Sequence, residues 1–413
     1  MQHKENSKEY IKKEKRYGAH NYHPLPVVLD RGEGVYVWDV EGQRYFDFLS
    51  AYSAVNQGHS HPRIIEAMTN QSQKLSLTSR AFYNSSLGKF EQYLCDLFDY
   101  KKVLLMNTGA EAVETALKIC RKWGYEKKGI LNNQAKIIVC NGNFHGRTTS
   151  IISFSDDVNA KQNFGPFTPG FITIPYNDTK ALQSLLESDP NIAGFLVEPI
   201  QGEAGVLVPE EGYLTKVKEL CQKHNVLCII DEIQTGIART GKMLAIDYEQ
   251  VKPDILILGK ALSGGMYPVS AVLSNDSIME VIQPGQHGST YGGNPLACAV
   301  AMEALCVVSD EKLEQNAYVL GLLFRAEMQQ LVKESHLLTA VRGKGLLNAL
   351  LINSDEASNL AWDICLEFKK NGLLAKPTHG NKIRFAPPLV ITKTQLYECI
   401  EIIKKTIISF EIS

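Results

Sequence analysis

The sequence predicts an α/β protein built around a doubly wound, mostly parallel sheet. Two observations carry that expectation: short, near-continuously apolar runs recur through the middle of the chain, and amphipathic helical patterns separate them. Strands covered on both faces read as unbroken apolar runs, whereas half-exposed strands alternate. The runs are KVLLM (102–106), KIIVC (136–140), GFLVEPI (194–200), VLCII (226–230), DILIL (254–258) and VSAVL (269–273). Between them, GAEAVETALKICRKWGY (109–125) puts Ala112, Ala116, Ile119, Cys120 and Trp123 on one helical face. Its acids Glu111 and Glu114 come early and its bases Lys118, Arg121 and Lys122 late, which suits the helix dipole. GYLTKVKELCQKH (212–224) repeats the spacing with Leu214, Val217, Leu220 and Cys221.

The ends of the chain differ. GEGVYVWDVEGQRYFDFL (32–49) reads as a small hairpin-like unit, and the region after Asn294 opens with a long helical pattern before RGKGLLNALL and IRFAPPLV. The expected organisation is an N-terminal segment (1–51) that contributes to a small domain, a large α/β domain (52–300) and a C-terminal part of the small domain (301–413).

Composition narrows the function. With 413 residues, 44% hydrophobic and 21% charged, the chain can bury a sizeable core. A net charge of −2 argues against nucleic acid or an anionic membrane as partner and favours a small molecule. Nine cysteines without a C-x-x-C pair read as reduced core thiols, and the lysine-rich start is interrupted by Glu5, Glu9 and Glu14 with no apolar segment after it. The expectation is a soluble cytoplasmic protein without a membrane span.

In a parallel sheet, ligands sit beyond the carboxyl ends of the strands, so the residues just past each run are the ones to weigh. MNTGAEAVE turns through Gly109 and Ala110 into a helix, whose unpaired amides suit a phosphate; Thr108 as an ordinary N-cap fits the same residues. CIIDEIQTG ends a buried strand on Asp231, a carboxylate that needs a cation or donor, structural or bound. ILILGKALSGG places Lys260 after the next strand, either as a solvated charge or as a desolvated amine able to form a Schiff base. GNFHGRTTS offers the ring of Phe144 and the cation of Arg147, while His145, without a second ligand at suitable spacing, reads as a loop or packing histidine and not as a metal ligand. No metal site is expected. GIARTGKM fails as a P-loop because Met243 stands where a hydroxyl is needed, and RGKGLLN lacks the third glycine of a dinucleotide fingerprint.

A phosphate turn, an aromatic plate, an acid and a lysine are together what pyridoxal phosphate chemistry requires. With YGAHNYHPLPVVL, SAYSAVNQGHSHP, LTSRAFYN, VEPIQGEAG, DEIQTGIARTGK, LGKALSGG, HGSTYGGNP and GLLAKPTHG in order along nearly the whole chain, the sequence resembles the class III aminotransferases, and among them the ornithine aminotransferase branch. The resemblance implies the fold type I architecture of pyridoxal-phosphate-dependent transferases, pyridoxal 5′-phosphate as cofactor, and a homodimer with active sites at the interface. It assigns Lys260 to the Schiff base and proton shuttle, Asp231 to the pyridine nitrogen, Gln234 to the ring hydroxyl, Phe144 to ring stacking and Gly109 and Ala110 to the phosphate. Thr290 would reach the phosphate in the neighbouring subunit. Tyr22 and Arg147 would hold the α-amino and α-carboxylate ends of L-ornithine, and Tyr52 would shape the pocket. Glu203 would mask Arg384 until 2-oxoglutarate binds, with glutamate as product. Against the family pattern, His145 stands where some ornithine aminotransferases carry tryptophan, and FHGR is common among relatives acting on acetylornithine or 4-aminobutyrate. Ile237 and Ala238 replace a frequent Leu and Gly.

Overall fold

The computed structural model describes residues 5–412. Three strands come first, β1 (Leu29–Glu33), β2 (Tyr36–Asp39) and β3 (Arg44–Asp47). The central sheet then takes β4 (Lys102–Met106), β5 (Lys136–Cys140), β6 (Phe171–Ile174), β7 (Ile192–Val197), β8 (Leu227–Asp231), β9 (Ile255–Leu258) and β10 (Ser270–Ser274). Five short strands follow late in the chain: β11 (Leu338–Lys344), β12 (Leu347–Ile352), β13 (Leu373–Leu374), β14 (Lys376–Thr378) and β15 (Lys382–Phe385).

Across the central sheet the order is β4-β10-β9-β8-β7-β5-β6, with β10 antiparallel to both neighbours and the other pairs parallel. Every residue of β7, β8, β9 and β10 is buried, which is why these segments carry unbroken apolar runs. The edge strand β6 buries only Ile174, and its sequence FITI shows no comparable run. The helix Gly109–Glu126 packs Ala112, Ala116, Ile119, Cys120 and Trp123 into the apolar core, as their spacing predicts.

Segments from opposite ends of the chain share a sheet. In the order β1-β2-β3-β13, β13 runs parallel to β3 with Leu373 opposite Phe46 and Leu374 opposite Asp47. The remaining sheet, β11-β12-β15-β14, is antiparallel and carries Arg384 on β15.

One buried cation ties these parts to the central layer. Arg239, fully buried after β8, donates to Asn56 Oδ1 from Nε (3.1 Å), and from Nη1 to the carbonyls of Leu346 (3.0 Å) and Pro387 (2.6 Å). Asn56 returns the contact by donating to the Ile237 carbonyl at 2.7 Å. Among the described residues no carboxylate pairs with this guanidinium, so burial pushes its pKa down to about 9. Removing the side chain would orphan several buried acceptors at once. An Arg239→Met variant is expected to lose roughly 3 kcal/mol of stability, read as a lower denaturant midpoint at unchanged slope.

Candidate active site

The carboxyl ends of β4, β5, β7, β8 and β9 converge on a cavity of about 200 Å³ whose lining includes Gly109, Ala110, Phe144, His145, Glu198, Asp231, Ile233, Gln234 and Lys260. Each side chain arrives there through its strand. Asp231 is the last residue of β8 and is 4% exposed; its Oδ1 accepts from the Ile233 amide at 3.0 Å, and its Oδ2 lies 2.7 Å from His145 Nδ1. Lys260 follows β9 on a left-handed residue, φ 45°, a strained setting for a lysine. Its side chain keeps some surface open to the cleft, yet protein crowds the amine enough that burial lowers its pKa; Glu203 opposes the shift and Arg384 reinforces it. A lowered pKa raises the fraction of neutral amine, the nucleophilic form.

Thr108 and Glu111 close a reciprocal cap on the helix Gly109–Glu126, with the Thr108 hydroxyl accepting from the Glu111 amide at 3.2 Å and Glu111 accepting from the Thr108 amide at 2.8 Å. Thr108 is therefore the N-cap and the amides of Gly109 and Ala110 remain directed at the cavity end, where the helix dipole favours an anion. Phe144 is 38% exposed and presents its ring to the cleft.

His145 does more than pack in a loop. It is 3% exposed, bonded to Asp231, and its Nε2 has no partner among the described residues. Burial lowers its pKa, but the hydrogen bond and charge of Asp231 outweigh that and leave it raised. Glu198, just beyond β7, shares this enclosure and accepts from the Phe144 amide at 3.1 Å. Burial pushes its carboxyl up to about 8, against the opposing pull of His145. Neither residue was singled out from the sequence as part of the site. Glu198 carried the signal that marked Asp231, an acid ending a fully buried strand; His145 had no signal beyond its place next to Phe144.

A second group of residues lies beside the cavity. Arg384, 2% exposed, donates from Nη1 to Glu203 Oε1 at 2.7 Å. Burial by itself would raise the Glu203 pKa, yet the charges of Arg384 and Lys260 and the hydrogen bonds of Arg384 and Gln234 bring it down to about 2. Gln234 donates to the same Glu203 oxygen at 3.0 Å, while its own oxygen lies 3.4 Å from Arg384 Nη1. It therefore bridges this ion pair as well as lining the cavity. Gly202 makes room for it: a Cβ there would fall 1.7 Å from Gln234 Oε1.

Tyr52 faces this ion pair from a turn that sequence patterning does not reveal. Ser50, Ala51, Tyr52 and Ser53 have φ of 48°, 48°, 61° and 68°, a left-handed turn of non-glycine residues. Such backbone costs roughly 1–2 kcal/mol per residue. Asp47 holds its entrance, accepting from the amides of Leu49 and Ser50 at 2.9 Å each while its other oxygen meets His59 Nε2 at 2.7 Å. The Tyr52 ring then sits 5.0 Å from the Arg384 guanidinium carbon, and burial raises the phenol pKa. Tyr22 is 69% exposed and close enough to Tyr52 to add to that shift. Arg147 lies 5.9 Å from the Phe144 ring and, with Glu203, lines an adjoining cavity of about 440 Å³. Thr290 is exposed and does not line the central cavity; its neighbour Ser289 accepts from Asn107 Nδ2 at 2.8 Å. Among the described residues no cluster of ligating side chains could hold a metal.

These features fit pyridoxal 5′-phosphate. Free helix amides mark one end of the cavity, the buried Asp231–His145 pair lies within it, and an amine of lowered pKa and an aromatic ring complete the lining. The Glu198 environment also makes a prediction for the protein without cofactor. Because the folded-state pKa of about 8 exceeds the ordinary 4.5, the folded state retains a proton across that interval, so this contribution to stability is complete below pH 4.5 and disappears as pH rises through 8. A Glu198→Gln variant should flatten the decline in unfolding free energy over that interval by on the order of 5 kcal/mol, measured by denaturant titration at several pH values.

Comparison with known proteins agrees with this geometry. The model of the family described as aminotransferase class-III matches residues 17–407. A mitochondrial ornithine aminotransferase of Drosophila melanogaster is 63% identical over 397 residues, covering 96% of this chain and 91% of its own. The ornithine aminotransferase of Toxoplasma gondii superposes with a TM-score of 0.97 at 48% identity, covering 99% of this chain and 96% of its own; a further structure of it shows partial occupancy of pyridoxal phosphate at the active site. A structure from Elizabethkingia anophelis described as an acetylornithine aminotransferase is 64% identical with a TM-score of 0.91, covering 98% of this chain and all of its own. By its sequence, its fold and the residues gathered at its strand ends, the chain belongs to the class III aminotransferase family.

Proposed function

We propose that the protein is an ornithine δ-aminotransferase that uses pyridoxal 5′-phosphate to move the δ-amino group of L-ornithine to 2-oxoglutarate. The products are glutamate and glutamate 5-semialdehyde, which cyclises to pyrroline-5-carboxylate, a reaction of arginine and proline metabolism. The observation that carries this reading is the Glu203–Arg384 pair beneath Tyr52, with Arg384 buried and Glu203 half-buried. A cation held by its own carboxylate repels neither end of a diamine, and the same cation, once released, can take a carboxylate of the oxo acid.

The bound cofactor supplies an electron sink for the substrate carbon. Asp231, steadied by His145, stands ready to hold a protonated ring nitrogen, and Gly109 and Ala110 offer amides to the phosphate. Phe144 and Ile233 give the ring apolar walls. The Lys260 amine, with its pKa lowered, can take a proton from the δ-carbon of ornithine and hand it back on the cofactor side. Tyr22 and Arg147 would receive the α-amino and α-carboxylate groups, which leaves the δ-amine directed inward. Orienting the reactants in this way can supply roughly 7–11 kcal/mol of the barrier reduction in favourable cases.

We further infer a homodimer. Thr290 stays exposed next to Tyr291, itself 51% exposed, and Phe82 and Tyr83 are 70% and 98% exposed. A second copy covering these residues would bury the aromatics and bring Thr290 to the neighbouring phosphate. Nine unpaired cysteines support placing the protein in the reducing cytoplasm.

The 64% identical acetylornithine aminotransferase supports a second reading, in which the donor carries a neutral acetamide in place of the α-ammonium. Tyr22 and Tyr52 favour ornithine. Protein supplied with pyridoxal phosphate and 2-oxoglutarate, given ornithine, acetylornithine or 4-aminobutyrate in parallel, is expected to form glutamate with a kcat/KM for ornithine about 100-fold above the others. Preference for acetylornithine would move the assignment to the second reading, and absence of turnover with all three would reject both. A Glu203→Ala variant should shift the preference between ornithine and glutamate as amino donors by about tenfold toward glutamate, because Arg384 would then stay unmasked.

A further inference from the structure

We propose that Lys376 is a second cation of the dicarboxylate subsite, acting beside Arg384 to select the oxo-acid substrate. The proposal rests on the reading that Arg384 receives a dicarboxylate. In the antiparallel pair of β14 and β15, Lys376 lies directly opposite Arg384, so the two side chains stand on the same face of the sheet. Thr378, two residues on and therefore on that face too, donates from its hydroxyl to the Glu203 carbonyl at 2.9 Å. The face that bears Lys376 is thus the one that meets the Glu203 loop.

Two cations directly opposite each other weaken a sheet, and folding alone gives no reason to place them there. The third base on this face, Lys382, is already engaged with Glu356. Lys376 is partly buried and, among the described residues, has neither a hydrogen-bond nor an ion-pair partner. Burial and Arg384 both lower its pKa while Glu203 alone raises it, which places the amine within the field of that ion pair. Arg384 also has capacity left: its Nε is buried without an acceptor.

With Glu203 in place, one carboxylate faces two cations. A dianionic oxo acid that displaces it finds the unspent Nε of Arg384 and the free amine of Lys376, whereas a diamine meets Glu203 and gains nothing from Lys376. Lys376 therefore discriminates between the two substrates of one site.

The test compares wild-type holoenzyme with Lys376→Met and Lys376→Arg. It measures the Michaelis constant for 2-oxoglutarate, kcat/KM for ornithine, and equilibrium binding of the unreactive dicarboxylate glutarate by calorimetry, with butyrate as monocarboxylate control. The Met variant is expected to raise the Michaelis constant for 2-oxoglutarate and weaken glutarate about tenfold, to leave ornithine within about twofold, and to be largely restored by Arg. Unchanged glutarate binding, or an equal loss for both substrates, would overturn the proposal. If the wild type fails to use ornithine, the donor assignment falls, but the glutarate comparison still decides the role of Lys376.

Discussion

A carboxylate at the end of a fully buried strand cannot remain charged without a partner, and Asp231 is in that position. Its surroundings can be read as answers to this one demand. His145 donates to one oxygen and the Ile233 amide to the other, yet the side chain still lines an open cavity. A protonated ring nitrogen would complete the set. Glu198, enclosed nearby, is driven toward its neutral form chiefly by its own burial, with the neighbouring Asp231 carboxylate adding to the shift and His145 opposing it. The pair separates two acids by environment, one suited to hold a cation and the other to keep its proton.

That separation depends on a rigid wall, and the fold provides it by drawing both ends of the chain against the central sheet. β13 joins β3, Arg239 reaches from the strand-end loop to Asn56, Leu346 and Pro387, and Arg342 donates to the carbonyl of Gly205 at 2.7 Å. The loop that carries Glu203 is therefore stitched to the same sheet that presents Arg384. Glu203 and Arg384 are therefore held in register by the same sheet.

Much of this was legible in the sequence where burial is two-sided. β7 to β10 announced themselves because no residue in them meets water, and the helix after β4 because its apolar face and its charge order agree. β6 was missed because three of its four residues are not buried, which leaves no pattern to detect. The left-handed turn at Ser50–Ser53 was hidden for a different reason. Such backbone normally advertises itself through glycine, and here Asp47 secures it by accepting from the amides two and three residues on, while His59 holds its other oxygen from outside the turn. The expected organisation even put a boundary at 51/52, inside this turn. Motif residues such as Lys260 and Asp231 could be weighed one by one, but the bridging of Glu203 and Arg384 by Gln234 depends on a clearance at Gly202 that only coordinates reveal.

A site that takes a diamine and a dicarboxylate in turn, as proposed, needs a selectivity that can switch, and the charge economy of this one shows why. A fixed Arg384 would favour any carboxylate and oppose the ammonium ends of a diamine; a fixed Glu203 would do the reverse. In a buried site neither charge can be left unpaired at small cost, so each must serve as the other's counterion whenever substrate does not. Glu203 meets that condition: burial would raise its pKa, but the charges of Arg384 and Lys260, with the hydrogen bonds of Arg384 and Gln234, bring it down to about 2 and keep it anionic. On the proposed function its departure would be driven by competition from a better-charged ligand and not by protonation. On the proposed function a dianion would compete and a diamine would not, so the substrate itself would set the state of the pair.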